Sequence, residues 1–518
     1  MSTPQTGALG ERRLSTIHAV AQALAIGPMF SIALVEGSIS KPQFGAGWNT
    51  TLAVLVASLG VLAIGYVIAL FARQYAGAGA MYEYLTRGAH PSVGIFASGL
   101  YFIGTLFLGG GGIYLGLGIL MNQFWVNHIS ATGAPAWWLL GAIALAFVLV
   151  LNYLGVRIAI RAMLTFAAVA LVPMLLLGIV IVAKGGQGGN TLSVFDPGQT
   201  SLFGFANGGV FGGVLLGILL FVGFEAAASI AEESHDPHRS IPRAVLGTVA
   251  AAAALFTFIA YAFSIGYGKA AIDKGAWALA PSAVDQLATK YVGSWLATFL
   301  DVVIILDALA LALAICVTIG RGYFALGRDG LLPRVFAKTS RFNTPWVGNL
   351  VVVIGGIGLM LLASHANYVN LFVAPGPGGK PVPVFPSNQF ATFIMAATVG
   401  SFAVELVYML LAAAMVRVLW LRHGKWWQYV IAVIAFVTPV LGFYGALKPS
   451  PHNTTNPNYV ALYFTLAVIA IGAVWFAICR LALPERVANA ARHATEHLGV
   501  PALDENLDFT PAPDNTVI

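Results

Sequence analysis

The sequence predicts an all-α polytopic membrane protein, on three observations. Of its 518 residues 58% are hydrophobic and 9% charged, with a mean hydropathy of +0.84. A soluble chain carries about 25% charged residues, so too little polar surface is present to cover a water-soluble shape. The apolar residues fall in twelve runs of about 18–30 residues, each enough for a ~30 Å hydrocarbon core. Helix is the spanning form expected, because lipid offers no partner to open backbone groups.

The runs lie near 16–39, 50–71, 92–121, 137–154, 162–183, 208–231, 244–267, 293–319, 347–364, 390–417, 428–447 and 459–481, and are numbered here as spans one to twelve. The third observation is the basic residues between them. Placing the N-terminus inside puts 19 of the 26 Lys and Arg, including every arginine, on the inner side. Only Lys41, Lys184, Lys269, Lys274, Lys290, Lys380 and Lys448 fall outside. Both termini are therefore expected in the cytoplasm, with the chain in the cell membrane. The net charge of +6 sets orientation and does not point to nucleic acid. Cys316 and Cys479 lie inside apolar spans and imply neither a disulfide framework nor a metal site.

Span one reads HAVAQALAIGPMFSIALVEGSIS, with Gly27 and Pro28 near its middle. Proline lacks an amide proton and clashes with the preceding turn, so the helix is expected to break or kink there. A break frees amides on one half and carbonyls on the other. The outer half then starts in mid-membrane with its positive dipole end, which suits a carboxylate. A structural proline kink is the alternative. Glu36, near the outer end, is read mostly as a structural acid, though it could reach water by snorkelling. Asn49-Thr50-Thr51 and Asn453-Thr454-Thr455 are glycosylation sequons on the outward side.

Span three contains GGGGIYLGLG, from Gly109 to Gly118. No strand precedes it, so it is no phosphate loop; Gly112 and Gly116 have the spacing of close helix packing. Span six, opening the stretch from Gly208 to Arg243, has a carboxylate, Glu225, inside an apolar run beside Gly223. A charge at such depth is functional more often than not. Glu225 is either a proton acceptor or ammonium contact, or a structural carboxylate bonded to backbone freed by a break. Spans one and six thus carry matching interruptions, the sequence pointer to a transporter site.

Asp307 falls mid-span eight and Glu405 mid-span ten, with no basic residue at comparable depth. Such acids are candidates to load and release protons, or are neutral groups bonded to a neighbouring helix. The inner loop after span eight carries Arg321, Arg328 and Asp329, placed to pair with Glu232 and Glu233 after span six. No GxxxxGK[ST], HExxH or paired CxxC occurs, so no ATP-driven motor and no enzyme is expected, and no metal or organic cofactor.

The run from Phe221 to Arg243 resembles the sixth helix and following loop of the amino acid–polyamine–organocation transporters. It reads F-x-G-F-E, then Glu-Glu, Pro, Arg and Ile-Pro-Arg-Ala. The loop from Arg321 to Pro345 resembles that family's eight–nine loop, and Gly77 to Gly88 its two–three loop. The resemblance implies a five-plus-five inverted-repeat (LeuT-like) core at 16–417, with repeats near 16–183 and 208–417. Two peripheral helices at 428–481 and cytoplasmic tails at 1–15 and 482–518 complete the chain. It also implies alternating access by rocking of spans one, two, six and seven. The substrate would meet the two breaks at Met29, Ser31, Ile32 and Ala33 and at Phe221, Val222, Gly223, Phe224 and Glu225, with Phe221 and Phe224 as gate aromatics.

Two features depart from the family pattern. Ser31-Ile32-Ala33 stands where Gly-Ser/Ala-Gly is usual, and Ala168 stands where some proton-coupled members have a lysine. Proton coupling would then fall to Glu225, Asp307 or Glu405. The expectation is a secondary active transporter of an amino acid or small amine, with proton-coupled uptake. A substrate exchanger (antiporter) and a non-transporting sensor of the same fold are the alternatives. The partners expected are a small-molecule substrate and the bilayer, and the sequence does not set an oligomeric state.

Overall fold

A computed structural model describes residues 14–487, except 43, 76, 78, 108–111, 155, 204–208, 376–379, 449–456, 483 and 486. Asn453, Gly109–Gly111, Arg12, Arg13 and nearly all of both tails therefore lie outside the described residues. The fold is helical, with one two-stranded antiparallel hairpin, Val373–Pro375 against Pro381–Pro383, between spans nine and ten. Among the described residues eleven helices are long and apolar enough to cross a membrane. The third expected span is in two pieces, Pro91–Thr105 and Ile113–His128, joined across partly undescribed residues.

Helix bounds follow the apolar runs closely. Span two is Thr50–Ala72, span seven Pro237–Tyr267, span eight Ser294–Arg328 and span ten Asn388–Leu421. Span six, Val210–Glu233, is almost wholly buried. Spans eleven and twelve, Trp426–Leu447 and Pro457–Ala482, expose Val433, Ile434, Ile471, Val474 and Ile478, the apolar face a lipid solvent asks for. Span eleven also packs directly on span six. A Cβ on Gly445 would run into the Phe211 backbone, and one on Gly442 would sit 3.2 Å from the Leu215 nitrogen.

Loops gather at two ends. At the first end, Leu14 N–H donates to Glu233 O and His235 N–H donates to Leu14 O. Arg321 pairs with Glu233, Arg328 with Glu232, and Tyr82 donates to Asp329. Arg417 caps the Gly88 and Ala89 carbonyls of the short helix Met81–Gly88. At the other end, the Asn49 amide donates to Val194 O and Asp196 O, and Lys184 donates to Tyr291 O. This sorting by loop is the one a chain crossing back and forth requires. It also corrects one expectation: Asn49 is fully buried, so its sequon offers no acceptor at the surface.

Candidate functional site

Span one is broken. Helix Thr16–Ala23 tightens into a 3-10 turn at Leu24–Ile26, and Gly27 then turns left-handed at φ 50°. Helix restarts at Pro28 and runs to Ile39, with a π-helical turn over Ile32–Glu36. Only glycine suits this corner: a Cβ on Gly27 would also lie 2.7 Å from Leu311 Cδ2. The break therefore falls four residues before Ser31-Ile32-Ala33, which is helical. Pro28 takes the first helical position, where a missing N–H costs nothing.

Span six is broken in the same manner. Helix Val210–Leu219 ends, Leu220–Val222 turn, and Gly223 adopts φ 119°. The chain then continues as a 3-10 helix over Phe224–Glu233. Runs of 3-10 helix beyond three or four residues are uncommon and mark strain or a hinge.

The freed amides are taken by carboxylates. Met29 N–H and Phe30 N–H both donate to Asp307 Oδ2 of span eight, at 2.8 and 3.0 Å. At the second break Gly223 N–H donates to Glu225 Oε2 at 2.9 Å, and the Tyr101 hydroxyl of span three donates to Oε1 at 3.0 Å. Tyr408 flanks the same carboxylate, its hydroxyl outside strict hydrogen-bond geometry. Glu225 thus has the contacts of a carboxylate that ties up backbone freed by its own break. Glu405 accepts from the Ser401 hydroxyl at 2.6 Å. Asp307 Oδ1 and Glu405 Oε2 are buried with no hydrogen-bond partner. Glu36 is fully buried, its two oxygens likewise unpartnered, so it does not snorkel to water.

A small apolar cavity of about 30 Å³ lies between the breaks. Ile26, Phe30 and Ser31 line it from span one, Leu219 and Val222 from span six, and Leu311 from span eight. Phe30 and Phe393 of span ten meet there edge-to-face, 5.7 Å between ring centres. The volume holds about one water, too little for an amino acid or amine. Of the residues named from sequence, Ser31 and Val222 line it. Met29, Ile32, Gly223 and Glu225 are buried in or beside the breaks without lining it, and Ala33 borders a second pocket with Asp301. Neither expected gate aromatic reaches the cavity: Phe221 packs edge-to-face on Phe256, 5.0 Å away, and Phe224 lies 6.0 Å from Tyr408. The aromatics that do, Phe30 and Phe393, carry no local sequence signal. Gly116 makes room for Phe30, since its Cβ would sit 2.7 Å from that ring.

The end that bears Leu14 is closed by charge. Arg321 and Glu233 are both buried and meet at 2.5 Å. Arg328 grips Glu232 through two bonds of 3.1 and 3.2 Å. Glu83 lies beneath, accepting from Gly79 N–H at 3.1 Å. Burial and the neighbouring Glu232 push its carboxyl up to about 7, against the pull of Arg328 and Arg87. At the opposite end His128 Nε2 meets Asp301 at 2.7 Å and lies 3.9 Å from Asp285.

Comparison with known proteins places this geometry. The family described as amino acid permease matches residues 19–481. An uncharacterised transporter of Mycobacterium tuberculosis is 26% identical over 347 residues, 66% of this chain and 72% of that one. The low-affinity putrescine importer PlaP of Escherichia coli is 23% identical over 299 residues, 56% of this chain and 62% of the importer. The branched-chain amino acid permease BcaP of Lactococcus lactis is 24% identical over 366 residues, 64% of this chain and 73% of the permease. The family match spans both breaks and every helix described, so this chain belongs to the amino acid permease family and is a multi-pass membrane transporter of amino acids or amines, not an enzyme.

Proposed function

We propose that the protein is a secondary active transporter that brings a small amino acid or amine into the cell, with protons as the coupling ion. It sits in the cell membrane with both termini in the cytoplasm. The observation that carries this reading is the pair of glycine breaks, Gly27 and Gly223, on either side of one small apolar cavity. Bare peptide groups in mid-membrane are tolerated only where they are buried or line a cavity, and such half-helices are where a polar solute is held. The five-plus-five repeat accounts for the matching breaks. The Arg321–Glu233 and Arg328–Glu232 pairs act as the cytoplasmic gate, which separates when the site opens inward.

Glu405 is the proton carrier on this reading. It is fully buried on span ten, keeps one oxygen free, and its Ser401 partner also reaches Leu215 O of span six at 3.4 Å. A proton there would bear on how spans six and ten pack. Both oxygens of Glu225 are already engaged. The test is uptake into proteoliposomes with an alkaline interior, using leucine, isoamylamine, ornithine and putrescine. Saturable accumulation of at least one, abolished by a protonophore and insensitive to the pH gradient in Glu405→Gln, is the expected result. Saturable uptake of none of the four, or gradient-driven uptake unchanged in Glu405→Gln, would contradict the reading.

A further inference from the structure

We infer that Asp307 stands in for a substrate carboxylate, so that this site takes amines that carry no carboxylate of their own. The inference rests on the transport reading above and narrows its substrate class.

The argument is a count of backbone donors. After the break at Gly27, Pro28 has no N–H. Ser31 N–H is already bonded to Gly27 O at 2.8 Å. The two donors that remain, Met29 and Phe30, both go to Asp307 Oδ2. The start of the outer half-helix is therefore fully satisfied by the protein itself. Two amide donors on one oxygen are the contacts an ionised carboxylate takes. A substrate carboxylate at the same amides would set two like charges side by side in a water-poor site, which is strongly unfavourable.

The second observation is the other oxygen. Asp307 is fully buried, and its Oδ1 has no partner. The only Lys or Arg buried among the described residues are Lys41 and Arg321. Arg321 is held by Glu233 at the cytoplasmic gate, and Lys41 lies over the Phe385 ring at the opposite end. Among the described side chains no cation is left to meet Asp307. A buried carboxylate with a bare oxygen and no protein cation is the complement of a ligand ammonium group, whose charge would hold it ionised. The hydrocarbon part of that ligand has a place beside it. Phe30, whose amide Asp307 holds, lines the apolar cavity, as does Leu311, one helical turn along the same face of span eight. The ligand is a primary amine or diamine with an aliphatic body. It enters as the cavity widens from about 30 Å³.

The experiment is ligand binding to the purified full-length protein, by thermal shift and equilibrium dialysis, with pairs that differ only in the carboxylate. These are isoamylamine and leucine, putrescine and ornithine, cadaverine and lysine. The wild type is expected to bind the amine of at least one pair about tenfold or more tighter than the amino acid. Asp307→Asn keeps an acceptor for the two amides and removes the charge, so it should stay folded and lose amine binding about tenfold or more. Asp307→Ala frees the amides and should gain the amino acid of the same pair. Amino acids bound as well as or better than their amines by the wild type, or amine affinity retained in Asp307→Asn, would overturn this inference and leave the transport reading standing. Binding of no member by the wild type, together with no uptake of any, would overturn both.

Discussion

Just after Gly27, Met29 meets a carboxylate 278 residues away in sequence, whereas Gly223 is met by a carboxylate two residues along the same stretch of chain. The two corners look alike, each a left-handed glycine with one donor set to satisfy. Their energetics differ in kind. The second is closed locally: Glu225 caps its own break, with Tyr101 behind it. The first is closed across the molecule, so its outer half-helix is fastened to span eight through Asp307. A movement of span one relative to span eight must break two bonds to a carboxylate, while a movement of span six relative to span three must break one, from Tyr101. Span one is the break whose state reports on the rest of the bundle.

The largest effect should come from the corners themselves. Gly27→Ala places a side chain in left-handed backbone and drives it into Leu311. Strain and overpacking together amount to about 2–5 kcal/mol, and uptake should fall to background. Gly223→Ala meets backbone strain of about 1–3 kcal/mol at φ 119°, and should keep measurable uptake. Equal loss from the two would erase the distinction between them.

Comparable in stability cost is the far end of the span-six 3-10 helix. Arg321→Ala strands the buried Glu233 and should destabilise by about 3–5 kcal/mol, near the top of the range for Gly27→Ala. Arg328 and Glu232 are about a quarter exposed, so Arg328→Ala should cost about 1 kcal/mol or less. Thermal melts in detergent compare the two directly. Equal shifts would mean that burial does not govern this gate.

A smaller change sharpens the local character of the second break. Tyr101→Phe removes one of the two bonds to Glu225 and should lower stability by about 1 kcal/mol, with KM for uptake nearly unchanged. A large rise in KM would make Tyr101–Glu225 a substrate contact.

The last effect is set by pH. Glu83 is held up to about 7 from an ordinary value of 4.5, chiefly by burial and then by Glu232. A carboxyl raised in the folded state contributes stability fully present below about 4.5, which is lost as pH rises toward and through about 7. Glu83→Gln should therefore melt like the wild type near pH 4.5 and progressively above it as pH is raised to 8. A constant difference across that window would show that Glu83 does not titrate there.

Much of this architecture was legible in the sequence, because the signals are local. Apolar run length set the helix bounds, Gly27-Pro28 placed the first corner, and the acids after span six were matched to Arg321 and Arg328. What was not legible depends on how helices are rotated against one another. Asp307 was recognised as a deep acid, but nothing in its neighbourhood says that it points at the amides of Met29 and Phe30. Phe221 and Phe224 were the expected gate because they flank the corner. The turn at Leu220–Val222 sends both elsewhere, and Phe30 and Phe393 meet instead across spans one and ten. The triplet Ser31-Ile32-Ala33 was read as the corner by analogy, yet the left-handed backbone needs glycine and takes it at Gly27.

The central claim is that both corners bound one substrate site. It is tested most directly by placing single cysteines at Ser31 and Val222 in a Cys316→Ala, Cys479→Ala background. Each is then labelled with a membrane-permeant thiol reagent, with and without the solute that the wild type accumulates. The account predicts that the solute protects both positions to the same degree and at the same concentration, while a cysteine at the exposed Leu192 is labelled regardless. Protection of neither, or of one without the other, would contradict it.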